Sequence, residues 1–154
     1  MRIFALELDN DIKGIERRKA YIEGLIEKLP KPDIVVLPEL AICSYMASQK
    51  IWKLADDCGR DASQWTVSIA KKYNTYIGAG YLDKENGDYY NRYMIAGPDG
   101  VCGVVTKSEA NQQFSSAGTS AVLFILHLEM LVWVYATIHA ASTSMITSGM
   151  TNFH

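Results

Sequence analysis

The chain has 154 residues, of which 49% are hydrophobic and 21% charged, and its formal net charge is −2. That length is sufficient for one domain with a hydrophobic core, and a charge this small provides no basic stripe, so we expect no nucleic-acid partner. Because no apolar run at the N-terminus is long enough for a signal peptide and the three cysteines lack the spacing of metal ligands, we expect a cytoplasmic protein with reduced thiols and no zinc site.

Residues 1–39 predict two strands around a helix. Residues 3–8 are apolar and partly alternating, which is typical of an opening strand. Over residues 12–29 the apolar side chains recur at helical spacing with charges on the opposite face, and two prolines then end the helix. Residues 34–37 are an unbroken apolar run, typical of a strand that is covered on both faces, and this run ends at Pro38-Glu39.

The following region predicts a second helix and then three strands joined by tight turns. The helix is expected over residues 63–73, with two lysines near its C-terminal end. Lys-Glu-Asn-Gly at 84–87 and Gly-Pro-Asp-Gly at 97–100 are turn sequences, and they separate strands that we predict at residues 75–81, 89–96 and 101–106. Two strand–helix pairs followed by hairpins indicate a layered α/β sheet.

Two ionisable residues follow predicted strands and are candidates for chemistry. Glu39 is the first ionisable group after the strand at 34–37, so it is expected at the carboxyl end of the sheet, where α/β folds bind ligands. Lys107 ends a later strand of the same predicted sheet. Held on adjacent strand ends, a carboxylate and an ammonium could act as a base and as a stabiliser of an oxyanion. The alternative is an ordinary ion pair at the edge of the sheet, which the spacing alone favours.

Two longer segments resemble the first two signatures of the nitrilase superfamily of carbon–nitrogen hydrolases. DIVVLPELAICSY, at 33–45, leads from a strand into Pro-Glu and then a short loop that ends in Tyr45. YNRYMIAGPDGVCGVVTKSE, at 90–109, has an Asn after Tyr and a Gly-turn hairpin before the lysine. The resemblance covers essentially all of residues 1–110. It implies an α/β fold, the αββα sandwich of this superfamily, of which the chain encodes only the N-terminal portion of the sheet and helices.

The resemblance also implies an activity and roles for individual residues. Glu39 corresponds to the general base of a Glu-Lys-Cys trio and Lys107 to the residue that stabilises the tetrahedral intermediate, while Tyr45 is expected to line the pocket. Intact relatives act on small-molecule amides or nitriles without a metal or an organic cofactor, and they commonly pair, so a homo-oligomer is an expectation here. The nucleophile should be a cysteine beyond the lysine, but no cysteine follows Cys102. Neither Cys102 nor Cys43 matches the nucleophile of the family.

The composition changes abruptly after residue 110, because Glu129 is the one residue with a formal charge in the remaining segment. We therefore expect two regions: 1–110, the N-terminal part of a carbon–nitrogen hydrolase domain, and 111–154, an aberrant apolar tail. Reading the codons of the tail displaced by one base forces a glycine from Trp133 and Val134, then an aliphatic residue, and then cysteine or arginine. Where the third residue is cysteine, this reading places Gly-aliphatic-Cys where the family needs it. We accordingly expect a frameshift, and a truncated, inactive enzyme as the product.

Two alternatives remain open for the chain as written. Residues 121–141 are mostly apolar and long enough to span a membrane, so the first is a non-catalytic nitrilase-like module anchored to a membrane or to a partner through this segment. A span is disfavoured because Glu129 at mid-bilayer would cost about 2.5–3.5 kcal/mol, and because no Lys or Arg flanks the segment. The second alternative is an active enzyme that uses Cys43 beside Glu39.

Overall fold

Six strands form one mixed sheet in the part of the chain that the computed structural model describes, residues 1–44 and 49–107. The strands are β1 (Ile3–Ala5), β2 (Ile34–Val36), β3 (Asp56–Asp57), β4 (Tyr76–Glu85), β5 (Asp88–Gly97) and β6 (Gly100–Thr106). The helices are α1 (Ile15–Ile26), α2 (Arg60–Tyr73) and a 3-10 helix (Gln49–Leu54). The strand order is β1-β2-β4-β5-β6, and β3 pairs with the C-terminal part of β4.

The directions of the strands bring two chain segments to the same edge of the sheet. β1 and β2 are parallel, and so are β2 and β4, whereas β4, β5 and β6 form consecutive antiparallel hairpins. β2, β4 and β6 consequently run the same way. The segment after β2 therefore leaves the sheet toward the same edge as Lys107, which follows β6. The layered α/β sheet with terminal hairpins that the sequence predicts is confirmed.

Both α-helices pack on one face of the sheet. The hydrophobic core lies between the helices and the strands, and its buried residues include Ile22, Ile26, Ile69 and Ala70 of the helices and Val35, Ile77, Ala79 and Met94 of the strands. Side chains alternate between the two faces along a strand. Gly78 and Gly80 of β4 and Tyr93 of β5 therefore lie on the opposite face, with Gly80 directly across from Tyr93 in the register.

The second helix begins at Arg60 rather than at residue 63, because an aspartate upstream caps it. The carboxylate of Asp56 accepts hydrogen bonds from the backbone N–H groups of Asp61, at 3.2 Å, and Ala62, at 2.7 Å. These are donors that the first turn of a helix leaves without an intrahelical partner. Asp56 also begins β3, and the sequence predicts neither this short strand nor the 3-10 helix.

The predicted turns are confirmed, and the first strand is shorter than predicted. Asn86 and Gly87 alone join β4 to β5, with positive φ angles of 54° and 93°, as a type I′ turn requires. β1 ends at Ala5 rather than at residue 8.

Three sequence predictions lie outside the described residues: Tyr45 as a pocket residue, the aberrant tail at 111–154, and the apolar segment at 121–141. Within the ranges that are described, no helix has the length and apolar character needed to cross a membrane.

Candidate active site

The segment after β2 bulges over the face of β4 that the helices do not cover. The Leu37 N–H donates to the carbonyl of Gly78 at 2.8 Å, and the hydroxyl of Tyr93 donates to the carbonyl of Leu37 at 2.9 Å. Further along, the Ile42 N–H donates to the carbonyl of Gly80 at 3.3 Å. We call residues 37–44 the crossing loop. Its two ends are hydrogen-bonded to the sheet, and Glu39 lies between them.

A buried arginine of α1 holds the second half of the crossing loop. Arg18 is only 2% exposed; its Nε donates to the carbonyl of Ala41, and its Nη1 donates to the carbonyl of Asp9 at 2.8 Å. Burial lowers the pKa of Arg18, but a guanidinium still stays charged under ordinary conditions. One side chain thus ties together α1, the segment after β1 and the crossing loop.

Glu39 contacts Lys107 directly. The Nζ of Lys107 donates to Oε1 of Glu39 at 3.1 Å, and the two side chains are 26% and 27% exposed. A carboxylate and an ammonium in contact at a partly open surface can hold a proton acceptor and a positive charge next to the same bound group. The structure therefore brings the two sequence-predicted residues together, as the chemistry inferred from them would require.

Asn91 of β5 completes this arrangement, and the sequence analysis gave it no role. Its Nδ2 donates to the same Oε1 of Glu39 that Lys107 contacts. The backbone carbonyl of Asn91 accepts a hydrogen bond from the backbone N–H of Lys107 at 2.9 Å. Glu39, Asn91 and Lys107 are called the Glu39 cluster below. Among the described residues, no group donates to Oε2 of Glu39.

The expectation that Glu39 and Lys107 lie on adjacent strand ends is wrong. Glu39 follows β2 and Lys107 follows β6, and both β4 and β5 lie between those strands in the sheet. The contact forms because the crossing loop carries Glu39 over β4 toward β5, where Asn91 and then Lys107 lie within reach.

Cys43, in the crossing loop, has the properties of a structural thiol. It is 5% exposed, its Sγ donates to the carbonyl of Leu40 at 3.8 Å, and burial raises its pKa to about 11. A thiol with so high a pKa is almost entirely protonated near neutral pH, and the protonated thiol is not the nucleophile. Cys58 and Cys102 are exposed, and neither forms a hydrogen bond to the Glu39 cluster. The alternative in which Cys43 acts beside Glu39 is therefore disfavoured.

An aromatic pair includes a residue on the same face of β5 as Asn91. Tyr89 lies on the same face of β5 as Asn91, and its ring is 4.7 Å from that of Trp52, centroid to centroid, at an interplanar angle of 45°.

No group of three or more His, Cys, Asp or Glu side chains in residues 1–44 and 49–107 is arranged to hold a metal ion.

A family model described as carbon-nitrogen hydrolase matches residues 10–116 of the chain. This range includes the whole Glu39 cluster and ends shortly after residue 110, where the composition changes. No curated protein is significantly similar in sequence.

Several solved structures share the fold of the described region. An N-terminal amidase is 20% identical with a TM-score of 0.60, over 68% of this chain and 27% of that one. A carbon-nitrogen hydrolase from Helicobacter pylori G27 is 24% identical with a TM-score of 0.50, over 68% of this chain and 38% of that one. A glutamine-dependent NAD(+) synthetase from Cytophaga hutchinsonii is 22% identical with a TM-score of 0.53, over 70% and 19%. The chain therefore spans well under half the length of these proteins. Their shared fold confirms the predicted nitrilase-like α/β fold.

Proposed function

The chain belongs to the carbon–nitrogen hydrolase family, and from that premise we propose that Glu39 and Lys107 are the general base and the oxyanion stabiliser of an amide- or nitrile-hydrolysing site. The observation that carries this proposal is the 3.1 Å contact between Lys107 Nζ and Glu39 Oε1, with Asn91 donating to the same oxygen. Two donors on Oε1 hold that oxygen, and among the described residues no group donates to Oε2.

The proposed reaction proceeds in two halves. Oε2 of Glu39 takes the proton from a cysteine thiol, and the thiolate attacks the carbonyl carbon of an amide, whose oxygen becomes negatively charged. Lys107 stabilises that charge, since its ammonium has three donors and uses one on Glu39. The C–N bond then breaks as the nitrogen takes the proton from Glu39. In the second half Glu39 deprotonates a water molecule, which attacks the thioester; the C–S bond then breaks, the sulfur takes the proton back from Glu39, and the acid is released.

The sulfur in this scheme is not one of the three cysteines of the sequence. Burial of Cys43 raises its pKa to about 11, while Cys58 and Cys102 are exposed and form no hydrogen bond to the Glu39 cluster among the described residues. We therefore propose that residues from about 111 onward are read in a shifted frame and that the correct frame encodes the nucleophile. Support comes from the loss of charge after residue 110 and from the end of the family match at residue 116.

The proposal predicts that the 154-residue chain is inactive and that the frame-restored protein is an enzyme. The nucleotide sequence around codons 105–115 tests the frameshift directly. If the displaced reading encodes arginine instead of cysteine after Gly-aliphatic, the proposed nucleophile is absent and the proposal is wrong.

Hydrolysis of an amide by the frame-restored protein tests the function. Simple aliphatic amides and peptides with N-terminal Asn or Gln form a suitable panel, because N-terminal amidase structures were solved with a Gln-Gly and with an Asn-Glu peptide. Turnover by the purified 154-residue chain, abolished by Glu39→Gln, would overturn this account.

A further inference from the structure

The contact between Glu39 and Lys107 spans a distance that two strand ends of this sheet do not ordinarily bridge. From β2 to β6 there are three steps across the sheet, through β4 and β5. Neighbouring strands are about 4.8 Å apart, so these steps amount to about 14 Å. The backbone at Glu39 must therefore lie over the sheet rather than beside it, and something in the sheet must allow it to lie there.

Gly80 provides the space. A Cβ atom placed on Gly80 would lie 2.6 Å from the backbone nitrogen of Leu40, 2.8 Å from Cα of Glu39 and 2.8 Å from the carbonyl oxygen of Pro38. All three are backbone atoms of the crossing loop, so no side-chain rotation relieves the overlap. The loop rests directly on the position where any other residue would have its side chain.

Tyr93 fixes the beginning of the crossing loop on the same face of the sheet. Its ring lies over Gly78, where an added Cβ would be 2.6 Å from the hydroxyl oxygen, and that hydroxyl donates to the carbonyl of Leu37 at 2.9 Å. Tyr93 is 6% exposed and pairs directly with Gly80 in the register of β4 and β5. The loop is thus held at its start by Tyr93 and supported below Glu39 by Gly80.

We propose that Gly80 and Tyr93 are positioning residues, which set the height and reach of Glu39 above the sheet and thereby its contacts with Asn91 and Lys107. Neither residue touches the carboxylate, and both act through the backbone of the crossing loop. A catalytic role for this position of Glu39 rests on the function proposed above. The position of the Glu39 carboxylate itself can be measured without an activity assay.

The test is an NMR pH titration of the Asn91 side-chain amide in the full 154-residue chain. Glu39→Gln identifies the part of the chemical-shift change that reports protonation of Glu39. In Gly80→Ala this response is expected to fall below half its wild-type size, because the displaced loop takes the carboxylate away from the amide. Gly24→Ala is the matched control, since an added Cβ at that helical position meets nothing within 4 Å, and its response should equal that of the wild type.

Tyr93→Phe provides a second arm that keeps the ring and removes only the hydroxyl, in case Gly80→Ala fails to fold. Its Asn91 response should fall, and the exchange of the Ile42 N–H, which donates to Gly80, should quicken at least tenfold. A folded Gly80→Ala chain with the wild-type response, or a Tyr93→Phe chain unchanged in both measurements, would overturn the inference. An intact response in a frame-restored protein that hydrolyses no amide would instead count against the proposed function alone.

Discussion

The Nζ of Lys107 and Oε1 of Glu39 lie 3.1 Å apart, although 68 residues separate them in the sequence. The two side chains are about one quarter exposed. Ion pairs that are this accessible to solvent stabilise a fold by only about 0–1 kcal/mol. The stability of the sheet therefore gains little from this contact, which means that its contributions to folding and to chemistry can be separated experimentally.

Replacing Lys107 with Met should leave the fold nearly as stable as before and remove the chemistry. We expect the free energy of unfolding, from urea denaturation, to change by about 1 kcal/mol or less. In the frame-restored enzyme, kcat should fall by about a hundredfold or more, because the oxyanion loses its cation. Lys72→Met is the control, since it breaks the 2.7 Å pair with Glu23 far along the chain. A Lys107→Met enzyme as active as this control would contradict the assigned role.

Replacing Asn91 with Asp should destabilise the chain. The substitution keeps the shape of the side chain but exchanges the donor on Glu39 for a second carboxylate. We expect a loss of about 1–3 kcal/mol at pH 7, because Glu39 loses a hydrogen-bond donor and faces a second carboxylate.

Asn86→Asp makes the same change of charge in the exposed turn between β4 and β5, where aspartate also fits the turn. Its unfolding free energy should stay within about 0.5 kcal/mol of the wild type. Equal losses in the two variants at pH 7 would show that the amide of Asn91 is not holding Glu39.

Cys43 should resist alkylation in the folded chain. Its pKa is raised to about 11 by burial, so at pH 8 only about one molecule in a thousand carries the thiolate. Iodoacetamide, followed by mass spectrometry of peptides, should modify the exposed Cys58 much faster than Cys43, and the difference should vanish in urea. Rapid labelling of Cys43 in the folded state would revive it as a candidate nucleophile.

The same thiol should make the fold less stable in alkaline solution. The pKa of Cys43 is raised from 9.0 to about 11, so between these values the unfolded chain has lost a proton that the native chain retains. The free energy of unfolding consequently falls as pH rises through this window, by on the order of 2 kcal/mol from this group. Tyr81, whose pKa burial raises to about 12, extends the decline to higher pH. Cys43→Ala should show a shallower decline between pH 9 and 11, and an identical slope would refute the assignment.

Local sequence was sufficient to predict the elements whose cause is local. The Asn86-Gly87 turn follows from two residues that tolerate positive φ, and β2 follows from an unbroken β-branched run. β3 was not predictable in this way, because Asp56 and Asp57 have low strand propensity and owe their conformation to pairing with Asp83 and Lys84 of β4.

The sequence singled out two residues of the candidate site but did not predict how they are arranged. Glu39 and Lys107 could be recognised from their motifs, whereas their contact depends on the register of three strands and on the path of the crossing loop. A signal for Asn91 was present, since asparagine is unusual inside a strand. Gly78 and Gly80 gave a similar signal, because alternate glycines in a strand often mark the close approach of another backbone.

Arg18 couples the packing of α1 to the position of the crossing loop that carries Glu39. Its hydrogen bonds join α1 to the carbonyls of Asp9 and Ala41, so the helix cannot detach without breaking the hydrogen bond that holds the second half of the crossing loop. Local opening of the helical layer and loss of the Glu39 geometry should therefore be a single cooperative event. Conversely, any small molecule that binds only the assembled site should slow amide exchange in α1, although it never touches the helix.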